Sequence, residues 1–156
     1  MWTHEPADAD GALRCYAEGL RLARAVSDVG GENMNTLGLA FTHLHLRTPE
    51  APIACRTALL RFQESGSPRG VPLLLDAIAG WFLDRDAIEP AAVISGFLET
   101  PQTTTVDRNH QEVAERLRTL RAQPGGTELL ARGAALSYDE AVAYTLAYLT
   151  CVESGS

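Results

Sequence analysis

The chain has 156 residues, a formal net charge of −7 and a sequence pI near 5.0. That size fits one compact domain, and the acidic balance argues against a nucleic-acid surface, where Lys and Arg dominate phosphate binding. All 13 basic residues are arginine, which excludes a P-loop lysine, a lysine Schiff base and a lysine general base. No apolar run approaches a transmembrane span. The acidic, polar start MWTHEPADAD carries no signal-peptide pattern, so a cytoplasmic protein is expected. Three cysteines far apart in the chain leave no closed disulfide framework. Cys15 and Cys55 sit among apolar neighbours and are expected as buried thiols, and Cys151 as a partly exposed one.

Apolar spacing then predicts helices in series. Residues 9 to 27 place Leu13, Tyr16, Ala17, Leu20 and Ala23 on one stripe, and Gly30-Gly31 reads as the break after them. Residues 32 to 47 carry Met34, Leu37, Phe41 and Leu44. Thr48-Pro49 reads as N-cap and first-turn proline of a helix over 49 to 64 with Ile53, Leu59, Leu60 and Phe62. Gly66-Ser67-Pro68 ends it. Residues 70 to 84 turn Leu74, Leu75, Ile78 and Phe82 inward. Asp86 and Glu89 are spaced as a cap, with Pro90 in the first turn of a helix over 87 to 99 that buries Val93, Ile94, Phe97 and Leu98. Pro101 to Thr105 reads as a polar linker. Residues 106 to 122 put Val113, Leu117 and Leu120 on one side, and Pro124-Gly125-Gly126 breaks that helix. A short helix around Leu129 and Leu130 precedes a closing helix from Tyr138, with Ser137 and Glu140 spaced as a capping box.

A shift of 39 residues brings the chain into register with itself. Ser27-Asp28 falls on Gly66-Ser67, Gly31 on Gly70, Gly19-Leu20 on Ala58-Leu59, and Gly38-Leu39-Ala40 on Ala77-Ile78-Ala79. Leu44 falls on Leu83 and Glu50 on Glu89. The expected fold is all-α: about seven helices in stacked antiparallel pairs, a tetratricopeptide-like α-solenoid. One domain over 1–156 would hold repeats at 9–64 and 70–99 and capping helices at 106–150.

The run ARGAALSYDEAVAYTL, with Arg132, Gly133, Ala135, Leu136, Ser137, Asp139, Glu140, Ala141, Val142 and Ala143, resembles the closing helix of the tetratricopeptide-like arrays in large bacterial regulators of the LuxR type. Residues 70 to 99 resemble the last repeat of those arrays through Leu75 to Gly80, Asp86, Glu89, Ala91, Ala92 and Gly96, and residues 107 to 122 resemble the charged helix that follows. The likeness spans roughly residues 10 to 150. It implies a signal-sensing or docking array that restrains an ATPase module. That family's ATPase and DNA-reading helix-turn-helix have no counterpart in the chain, so their activities do not carry over.

His43 and His45 would share a face only on a strand. On a helix they point about 200° apart and cannot chelate one ion, so no metal and no cofactor is expected. Asp84, Arg85 and Asp86 read as a helix end in water. Arg116, Arg118, Arg121 and Arg132 read as a solvated face interleaved with Glu112 and Glu115. Ser137 is a helix cap with no His or Asp spaced to make it a nucleophile. The chain is thus expected to be no enzyme but a binding module whose concave face carries Asn33, Thr42, His43 and Trp81, with core packing as the other reading of Trp81. The alternative is a small-molecule-binding or biosynthetic helical protein with His43, His45 and Asp76 around a pocket. In the 39-residue register the helix before 9–27 is missing. Leu22 and Val26 are therefore expected to form an association edge, covered by neighbouring domains of a larger regulator, by a second copy, or in part by Trp2. Neither nucleic acid nor membrane is an expected partner.

Overall fold

A computed structural model describes residues 6–103 and 108–155, and all their regular structure is helical. Eight α-helices lie among them: α1 (Pro6–Ala25), α2 (Val29–Leu46), α3 (Ala51–Ser65), α4 (Val71–Asp84), α5 (Ile88–Leu98), α6 (His110–Arg121), α7 (Gly126–Ala134) and α8 (Tyr138–Ser154). Contacts gather into two compact units, residues 1–70 and 71–156. Trp2 and residues 104–107 lie outside the described residues.

The first unit is α1, α2 and α3 packed in series. Small residues set the α1–α2 crossing. A Cβ on Gly19 would strike the Asn35 side chain, one on Gly38 the Tyr16 ring, and one on Gly31 would crowd Ala23. The chain order of these contacts makes the pair antiparallel. Gly30 and Gly31 lie inside α2 and do not break a helix. The break is at Ser27, in the left-handed region at φ 56°, followed by Asp28, whose carboxylate accepts the Gly31 amide at 3.0 Å. Thr48 is likewise no N-cap. α3 begins at Ala51 with Pro52 in its first turn, and the Thr48 hydroxyl pairs with His43.

The 39-residue register is written in the backbone. Ser27, Arg47, Gly66 and Asp86 end α1, α2, α3 and α4 at φ 56°, 54°, 64° and 60°. In each case the following amide bonds to the carbonyl five residues back: Asp28 to Ala23, Thr48 to His43, Ser67 to Phe62, and Ala87 to Phe82. This is the Schellman closure, which satisfies carbonyls left over at a helix end. Ser27 and Gly66 stand one repeat apart, as do Arg47 and Asp86. Asp86 therefore closes α4 and does not cap α5, whose N-cap is Ala87 without a side-chain bond.

In the second unit, α5 is buried from Pro90 to Leu98 and forms the centre. α7 crosses it antiparallel at backbone contact: a Cβ on Gly96 would land on the Leu130 carbonyl, and one on Gly133 on the Val93 carbonyl. The expected polar linker is partly a 3-10 helix (Pro101–Thr103), whose Thr103 is buried and donates to Leu98 O at 2.6 Å. The α6 stripe of Val113, Leu117 and Leu120 is buried as expected. Ser137 and Glu140 close the capping box of α8, with the Glu140 amide on Ser137 Oγ at 3.2 Å and the Ser137 amide on Glu140 Oε2 at 2.8 Å.

Several inward assignments are overturned. Met34, Ile53 and Leu60 are exposed, because α2 and α3 bury other stripes, Asn33-Leu37-Ala40-Leu44 and Cys55-Ala58-Leu59-Phe62. Cys15 is exposed and Cys55 buried. Cys15 lies on the side of α1 turned from α2, which Ala23 and Gly19 face. Burial pushes the Cys55 thiol up to about 12. An aromatic disulfide reagent at neutral pH is expected to titrate two thiols in the folded chain, Cys15 and Cys151, and a third only after denaturation. Rapid modification of all three would contradict this core.

Candidate functional site

Of the four residues expected on a concave face, Asn33, Thr42 and His43 lie on α2 in the first unit and Trp81 on α4 in the second. Each has structural work. Asn33 is buried and donates through Nδ2 to Ser65 Oγ at 2.9 Å, while its Oδ1 has no partner among the described residues. Thr42 donates to the Gly38 carbonyl at 2.8 Å. The half-buried His43 shares a 2.7 Å hydrogen bond with Thr48 through Nδ1, bracing the α2–α3 turn. Trp81 is buried, tilted against Phe82 at 5.2 Å, with the Arg85 guanidinium 4.8 Å above its ring. Of its two readings, core packing is the one observed.

The two histidines do stand on a helix. His45 is exposed while His43 turns toward Thr48, so they do not converge. Asp76, the third residue of a pocket reading, lies on α4, where its carboxylate is bridged by Arg108 and Arg116. Among the described residues, no three His, Cys, Asp or Glu side chains gather as a metal-binding group.

Two constellations in the second unit were hidden in the sequence. The first is ionic. Arg116, expected on a solvated face, is largely buried. It bonds the Asp76 carboxylate and carbonyl and, through Nε, Ser95 Oγ at 3.2 Å. Arg108 reaches Asp76 at 3.3 Å, Glu99 at 2.9 Å and the Leu98 carbonyl at 2.9 Å. Thus α4, α5 and α6 meet on two guanidiniums and two carboxylates, a balance that lets charges sit in partial burial.

The second is aromatic. Phe82 meets Tyr148 edge-on at 6.2 Å, Tyr148 leans on Tyr144 at 4.9 Å, and Arg132 lies 5.6 Å over the Tyr144 ring while bonding Glu89 at 2.9 Å. Tyr138 adds an edge contact to Phe97 at 6.3 Å. These wide rings tie α8 to α4, α5 and α7. The spacing Tyr144–Tyr148, one helical turn, was the visible signal.

Burial raises all three phenols above their ordinary range. Tyr138 is pushed up to about 12, with Asp139 adding to burial. Tyr144 is raised by burial first, then by Tyr148 and Glu89, against the opposing pull of Arg132. Tyr148 is raised mainly by burial. A phenol whose folded value lies above its unfolded one stabilises the fold fully below the unfolded value, about pH 10. That contribution is lost as pH climbs through the folded value. Melting temperature is therefore expected to fall between about pH 10 and 12, with tyrosinate absorbance rising together with unfolding. Ionisation of these three tyrosines at about pH 10 with helicity intact would contradict it.

Residues 71–156 hold twelve acidic side chains against six arginines, so nearly all of the net charge lies in the second unit. Arg118 and Arg121 are exposed but stand among Glu112 and Glu115 on the same helix, which leaves no basic surface there for phosphates. No described helix is long and apolar enough to cross a membrane. No family model, no curated protein and no solved structure matches the chain.

Proposed function

We propose that this chain is a non-catalytic helical-repeat binding module, comparable to the sensing and protein-interaction region of LuxR-type bacterial transcriptional regulators. The observation that carries the reading is the recurrence of one cap geometry at Ser27, Arg47, Gly66 and Asp86. A chain that repeats the same helix–turn–helix closure builds surfaces by addition of like units, and such arrays serve mainly to hold partners. The partner class is a protein, in that family a neighbouring domain such as the ATPase module. The polar residues that could suggest chemistry are engaged in bracing: His43 with Thr48, and Asp76 with Arg108 and Arg116.

The test is a thermal-shift screen of the full chain against divalent metals, nucleotides and small metabolites. The expected result is no specific stabilisation. A shift produced by one small ligand and abolished by His43→Ala would overturn the reading in favour of a small-molecule site between helices.

A further inference from the structure

We draw no further inference here: the strongest candidate, the exposed aliphatic edge that Leu22 and Val26 form at the C-terminal end of α1 in the first unit, carries none because nothing in the structure shows what covers it.

Discussion

Alanine at position 133 is expected to cost the fold about 3 kcal/mol or more, a fall in melting temperature of about 6–12 °C for a chain of this size. The added methyl group would land on the Val93 carbonyl oxygen, a backbone atom that no rotamer change can move aside. Gly96→Ala makes the reciprocal collision with Leu130 and is expected to cost as much. Both contacts lie on α5, the most buried helix, so α7 must lift away to relieve them and uncover Leu130 and Phe97. Gly11→Ala is the contrast. Its new Cβ meets nothing within 4 Å, and alanine is about 0.8–1.0 kcal/mol better than glycine inside a helix. Thermal melts of the three variants check this. If Gly133→Ala and Gly11→Ala moved stability in the same direction, the close crossing of α5 and α7 would be wrong.

Gly96 and Gly133 drew notice in the sequence only through a resemblance to regulator arrays, and their pairing was not visible. Spacing along one helix says nothing about which other helix it crosses. The reason for both glycines is a single contact 37 residues apart in the chain. The helices themselves were legible because apolar side chains recur at the helical period, most cleanly in α4, α5 and α6, where the named stripes are the buried ones. The period misled at Met34, Ile53 and Leu60, since a helix with apolar residues on two faces does not declare which one it buries. The helix ends were legible where a side chain makes the cap, as at Ser137. They were misplaced at Ser27, Thr48 and Asp86, where backbone closure in the left-handed region does the work and residues other than glycine are recruited to it. The candidate site fared worst. Histidines and a tryptophan attract attention as residue types, yet whether His43 is free or holds Thr48 depends on a turn that periodicity does not fix. Arg116 looked like a solvated charge because Asp76, its partner, lies 40 residues back.

That arginine carries the second large effect. Asp76→Ala is expected to destabilise the chain by about 2–3 kcal/mol. Removing one partner of a well-buried ion pair typically costs about 3–5 kcal/mol. The Asp76 side chain is 21% exposed, and solvent screening lowers the figure. Arg116, whose side chain is only 9% exposed, would keep Ser95 and the Asp76 carbonyl but lose its counter-charge. Arg108 would fall back on Glu99. The Arg132–Glu89 pair gives the scale for an ordinary bridge. Its side chains are 55% and 48% exposed, and Glu89→Ala is expected to cost only about 0.5 kcal/mol. The pair need not be stabilising against every alternative. Apolar side chains of similar volume often match or exceed a buried ion pair, so Asp76→Leu combined with Arg116→Met is expected to be more stable than either single variant. Urea unfolding of the four chains in that cycle gives the coupling directly. A value of at least about 1 kcal/mol is expected for residues in direct contact. Additive single effects would show that α4 and α6 do not meet on this pair.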